Sequence, residues 1–163
     1  MKGTILVAGI GNIFLGDDAF GCVVVQRLAS RALPPQVCVV DFGIRGYDLA
    51  YALMEPWELA ILVDANPRHG APGTLYAIEA AVPDSADGLE FDAHSMNPVA
   101  VLKLVAHLGG NAPRTIVIGC EPESAEENSD GRFGLSPPVE AAIEQAIQMI
   151  EEFIASTHKA TAA

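Results

Sequence analysis

Basic residues are scarce in this chain. Nine Lys and Arg stand against 21 Asp and Glu, a formal charge of −12 over 163 residues. A surface of that sign repels phosphate backbones and anionic headgroups, which excludes nucleic acid and a charged membrane surface as partners. No apolar run approaches the ~20 residues that span a bilayer. Lys2 and the short apolar run behind it imitate the start of a signal peptide, but Asn12, Asp17 and Asp18 follow without a small-residue cleavage site. The expectation is a first strand and a cytoplasmic protein. Cysteine is sparse too. Cys22, Cys38 and Cys120 are odd in number and form no C-x-x-C pair, so neither a disulfide framework nor a thiolate zinc site is expected. The lack of a G-x-S-x-G elbow argues against a serine hydrolase, and the lack of Gly-Lys-Ser/Thr against a P-loop.

What is present alternates between buried strands and amphipathic helices. Thr4 to Gly9 reads as a first strand. A helix follows from Asp18 to Ala29, with Phe20, Val24 and Leu28 on one stripe. Val37–Val40 reads as a second strand ending at Asp41, and Leu59–Val63 is a continuous apolar run ending at Asp64, the pattern of a parallel strand buried on both faces. A short helix near Asp48–Met54 lies between them. Thr74–Ile78 alternates, as an antiparallel edge strand does. Asn97 and Pro98 start a helix that ends at Gly109-Gly110. Thr115–Ile118 is a last strand, and Ser136-Pro137 opens a last helix whose stripe runs from Val139 to Ile154. Residues 81–93 and the acidic stretch from Glu121 to Arg132 read as loops. The chain is expected to form a single three-layer α/β domain over 1–157. Its sheet is five-stranded, twisted and mostly parallel, with helices on both faces, and residues from Ser156 on form a frayed tail, 158–163 lying outside the domain.

In such a sheet the site lies beyond the carboxyl ends of the strands. Asp18 follows strand one, Asp64 ends strand three, and His94 precedes a helix. Two carboxylates and an imidazole at one edge suit a borderline divalent cation such as zinc or nickel, which also removes the repulsion between the acids. Asp17 reads as an acid serving free N–H groups near a helix start. His69, His107 and His158 read as incidental. Gly9-Ile10-Gly11 opens like a dinucleotide fingerprint, with Asp41 where a ribose-binding acid belongs. Phe14, however, takes the third glycine position, and Asp17 and Asp18 would face the phosphates. Cys120, at the same edge as His94, is a candidate nucleophile without a fixed pairing.

Gly9-Ile10-Gly11-Asn12 with Asp17-Asp18-Ala19-Phe20-Gly21 resembles the opening motif of the nickel–iron hydrogenase maturation endopeptidases. The likeness continues through Val63-Asp64-Ala65, Ala71-Pro72-Gly73-Thr74, His94, Gly119-Cys120-Glu121-Pro122-Glu123-Ser124 and Gly134-Leu135-Ser136. This resemblance implies a single α/β domain that removes a C-terminal extension from the hydrogenase large-subunit precursor after nickel insertion. Asp18, Asp64 and His94 fall on the family's metal-contacting and catalytic positions, the nickel being that of the precursor. Where the family often has Asp-Gly-Gly-Thr, this chain reads Asp41-Phe42-Gly43-Ile44-Arg45-Gly46. Asp41, Gly43 and Gly46 are accordingly expected to serve substrate recognition. The alternatives are a nickel-sensing chaperone that docks without cleaving, and a dinucleotide-binding oxidoreductase.

Overall fold

The strand Ile5–Ile10 (β1) is buried along its whole length, and its two faces enter two different cores. Ile5 and Val7 pack with Phe20, Val24 and Leu28, and with Val139, Ile143 and Ile147. Leu6, Ala8 and Ile10 pack with Leu49, Leu53, Val101 and Leu104 on the other side. The period of two along an apolar strand thus builds three layers. The computed structural model describes residues 4–81, 96–123 and 133–162. All but the first residue of the loop read at 81–93 and most of the acidic stretch to Arg132 lie outside the described residues, as does His94.

After β1 come a 3₁₀ turn at Gly16–Ala19 and the helix α1 at Phe20–Ala29. Then follow β2 (Val37–Gly43), α2 (Gly46–Leu53), β3 (Leu59–Ala65) and β4 (Leu75–Glu79). The helix α3 (Pro98–His107), β5 (Arg114–Cys120) and α4 (Pro137–Thr161) complete the order. The sheet runs β2-β1-β3-β5-β4. Its first four strands are parallel, and β4 pairs antiparallel with β5 at the edge. The expected five-stranded, mostly parallel sheet between helices is therefore the observed one, with α1 and α4 on one face and α2 and α3 on the other.

Two local readings are corrected. The first helix does not start at Asp18. Gly16 takes a left-handed φ of 53°, and the chain makes one tight 3₁₀ turn before α1 begins at Phe20. The last helix does not fray at Ser156. The Ser156 and Thr157 hydroxyls each donate to the Phe153 carbonyl at 2.9 Å, so the polar residues that read as a tail are bonded back within the helix. The glutamates of α4 are a solvated face, as expected, but they reach α1. Arg27 meets Glu140 at 2.7 Å and Arg31 meets Glu144 at 2.6 Å. Such exposed pairs add little stability, and they orient one helix on the other.

Candidate active site

Beyond β1 the chain must turn sharply to bring two acids back over the sheet. Gly11 makes this possible. Its φ of 144° is a conformation that side chains disfavour, and a Cβ there would run into the Asp18 carbonyl. The turn is closed by Asp18 itself, whose Oδ2 accepts the Asn12 backbone N–H at 2.8 Å. Asp18 is half-buried and lines a cavity of about 970 Å³.

Asp64 lines the same cavity from β3, the strand hydrogen-bonded beside β1. It is almost fully buried. Burial first, and then the charge of Asp18, hold its carboxyl well above the usual carboxylate range. A hydrogen bond from the Ala65 backbone only partly offsets this. Two acids 46 positions apart in sequence are thus brought within electrostatic reach by adjacent parallel strands. The cavity is also lined by Ile78, Met96, Pro98 and Val99, and no Lys or Arg is among its described lining residues. Like charges without a cationic partner are costly in such a place. A divalent cation brought by a substrate would relieve that cost, and the chemistry of the donor set fits one. The third expected ligand, His94, lies outside the described residues. Among the described residues no three His, Cys, Asp or Glu side chains converge as a metal site.

The loop Asp41–Gly46 lies beside this turn. Gly11 N–H donates to the Gly43 carbonyl at 3.0 Å. Asp41 is engaged in holding the loop: its Oδ1 accepts Gly43 N–H and its Oδ2 accepts Gln26 Nε2, both at 2.9 Å. Arg45 donates to the Asp41 carbonyl at 2.6 Å and lies over the Phe42 ring. Asp41 and Gly43, with Ile13, Phe14 and Ile44, line a second, shallower cavity of about 370 Å³. It shares Gly11, Asn12 and Ile44 with the first. Gly46 instead opens α2.

Cys120, the candidate nucleophile, does not fit that role, and neither does Cys22. Cys22 and Cys120 are buried, and burial, followed by the nearby carboxylates, pushes both thiols up to about 12. Two acids carry more structure than the sequence suggested. Asp17 is buried and accepts hydrogen bonds from Glu123 N–H, Ser136 N–H and Ser136 Oγ. It does serve an N–H group at a helix start, but that helix is α4, 119 residues along the chain. Glu121, just past β5, accepts the Tyr76 hydroxyl and the Arg68 N–H, while Arg68 stacks on the Tyr76 ring. Burial opposes ionisation of Glu121, but these donors outweigh it and its carboxyl sits below the ordinary range. Together they fasten the Asn66–Gly70 turn that follows Asp64. The available signal was position: Glu121, like Asp64, is an acid at the carboxyl end of a buried strand.

Comparison with known proteins agrees with this geometry. The HycI family description, hydrogenase maturation protease, matches residues 22–153. The Escherichia coli hydrogenase 2 maturation protease is 31% identical over 147 residues, covering 90% of this chain and 87% of that protein. The hydrogenase expression/formation protein HoxM of Cupriavidus necator is 35% identical over 147 residues, covering 88% of this chain and 70% of that one. Among solved structures, the hydrogenase maturating endopeptidase HybD of E. coli superposes with a TM-score of 0.73 at 30% identity, over 96% of this chain and 94% of that one. The strand order, the two acids lining one cavity and these likenesses lead to one assignment: the chain belongs to the hydrogenase maturation protease family, enzymes that hydrolyse peptide bonds.

Proposed function

We propose that this protein is the cytoplasmic endopeptidase that removes the C-terminal extension of a nickel-loaded nickel–iron hydrogenase large-subunit precursor. Asp18, Asp64 and His94 would contact the precursor's nickel, which is part of the substrate. The observation that carries this reading is the Asp18–Asp64 pair: a buried carboxyl whose pKa is raised by burial and by the charge of a second carboxyl lining the same cavity. A site built of like charges favours a partner that brings a cation, so a precursor without nickel would engage poorly.

Bound nickel would supply a Lewis acid that polarises the attacking water and steadies developing oxyanion charge. The protein's own share is to hold the scissile peptide beside that water and to accept its proton on a cavity carboxylate. The water oxygen joins the scissile carbonyl carbon, and the C–N bond breaks. The proton passes to the leaving amine, and the extension departs with a free amino group.

Recognition falls to the lip of the cavity. Ile13, Phe14, Leu15 and Ile44 are each more than half exposed, an unusual concentration on so acidic a chain. Ile13, Phe14 and Ile44 line the shallower cavity with Asp41 and Gly43, and Leu15 lines the larger one, so the precursor's surface would rest there as its C-terminal segment enters the larger cavity. Phe14→Asp is expected to raise KM about tenfold or more and to leave kcat within about twofold, as loss of uniform binding does. Steady-state cleavage at varied precursor concentration measures both; an unchanged KM would remove the lip from recognition.

The proposal itself is tested by mixing the protein with nickel-loaded precursor and weighing the precursor by mass spectrometry. A shortened chain is expected, and Asp18→Ala should slow its appearance by ~10³-fold. A precursor that binds and keeps its full mass would mark a docking chaperone instead.

A further inference from the structure

We propose that Asp17, which the proposed chemistry does not use, is a positioning residue that sets the direction of Asp18. The inference rests on the proteolytic reading above. Asp17 and Asp18 are the middle residues of a four-residue 3₁₀ turn. Neighbouring side chains on such a turn point about 120° apart. One therefore enters the protein while the other faces the cavity. A single 3₁₀ turn has little rigidity of its own. This one follows the exposed residues Ile13, Phe14 and Leu15, and it starts at a left-handed glycine.

The Asp17 carboxylate supplies the missing rigidity. Its Oδ1 accepts Ser136 N–H at 2.7 Å. Its Oδ2 accepts Ser136 Oγ at 2.8 Å and Glu123 N–H at 2.9 Å. Two of the three donors are backbone groups, which cannot turn away. They come from the segment after β5 and from the cap of α4, 106 and 119 residues distant. Three bonds to one planar group fix its rotation and hence that of the turn. Asp18, one residue on, is aimed by the same constraint, with Asn12 N–H holding its Oδ2 from the other side.

An amide in place of the carboxylate cannot do this. Asparagine has one carbonyl oxygen, and the two backbone N–H groups approach two different oxygens. Whichever way the amide is flipped, one N–H faces an NH₂ group. Ser136→Pro removes the same tie from the other side. It lacks both the N–H and the hydroxyl, while the Ser136 φ of −63° already suits proline. Ser136→Ala keeps both backbone bonds and serves as the mild control.

The test is steady-state cleavage of nickel-loaded precursor by the full chain, at a temperature where melting curves show each variant folded. Asp17→Asn and Ser136→Pro should lower kcat by ~10²-fold, the cost of misplacing a reacting group by about 1 Å. KM should rise far less than kcat falls, because the lip is untouched and only the aim of one nickel contact changes. Ser136→Ala should keep kcat within about threefold, having lost one hydrogen bond of three. If either tie-breaking variant is folded and cleaves at the wild-type kcat, the inference is overturned. The same holds if the loss falls on KM, or merely tracks the unfolded fraction. Failure of the wild-type protein to shorten the precursor overturns the proteolytic reading as well, which separates the two cases.

Discussion

Asp64→Asn is expected to stop precursor cleavage and at the same time to raise the melting temperature of the free protein at neutral pH. The two effects share one cause. Asp64 is buried at the end of β3, and burial together with the charge of Asp18 holds its carboxyl above the value it has in the unfolded chain. The folded state therefore retains a proton that the unfolded state has already released. Below the ordinary carboxylate range both states are protonated and the contribution of Asp64 to stability is fully present. As pH rises, the unfolded chain ionises first, and stability falls until the folded carboxyl ionises too. Asparagine keeps the shape of the neutral acid and carries no charge, so its melting curve should lack this decline. At this chain length each ~1 kcal/mol recovered appears as about 2–4 °C. Cleavage should fall by ~10³-fold, because a neutral amide neither answers a cation nor accepts a proton from water. Melting temperatures of both proteins between acid and neutral pH, set beside cleavage rates, are the measurement. Parallel melting curves would show that the carboxyl carries no penalty in the fold.

Gly21→Ala should prevent folding altogether, although it adds a single methyl far from solvent. Gly21 lies in the first turn of α1, pressed onto the ends of β1 and β3. A Cβ there would collide with the backbone carbonyls of Val63 and Ile10. Neither obstacle is a flexible side chain, so relief requires α1 to lift from the sheet. That would open the core of Phe20, Val24 and Leu28. The expected loss exceeds the ~1–3 kcal/mol of ordinary overpacking and approaches the whole stability of a small domain. The carbonyls concerned belong to the residues just before Asp64 and Gly11, so any variant that did fold would have a displaced site. Gly70→Ala is the matched control. Its added methyl meets atoms no nearer than 3.5 Å, so it should cost less than ~1 kcal/mol. Soluble yield and urea midpoints decide the matter, and an unchanged midpoint for Gly21→Ala would contradict the close packing of α1 on the sheet.

Much of this molecule could be read from local pattern. Continuous apolar runs became the parallel strands β1, β3 and β5, because a strand covered on both faces has no position for polar residues. Alternation over Thr74–Ile78 became the antiparallel edge strand β4, whose outer residues meet solvent. Asn97 with Pro98 marked the start of α3, where the Asn97 side chain accepts Ala100 N–H at 2.9 Å. These features depend on neighbours a few residues away, so the order of residues is enough to declare them. Local pattern misjudged the helix ends. At Gly16 a tight turn replaces the first helical turn, and at Ser156 hydroxyls that usually break a helix bond back into it.

The linear chain thus established which residues are acids at strand ends and that they share one edge of a parallel sheet. It was also enough to bring Asp18 and Asp64, the two carboxylates of the candidate site, to that edge, where both line one cavity. How each acid is held was decided in three dimensions. Asp17 and Asp18 are neighbours of the same type, yet one is tied to Ser136 and Glu123 while the other faces the cavity and raises the pKa of Asp64. Glu121 looked like part of an acidic loop and proved to be the anchor of Tyr76 and Arg68. The reason is physical. A carboxylate's role depends on the donors and charges around it and on how much water it keeps, and here those neighbours come from 45 to 119 residues away.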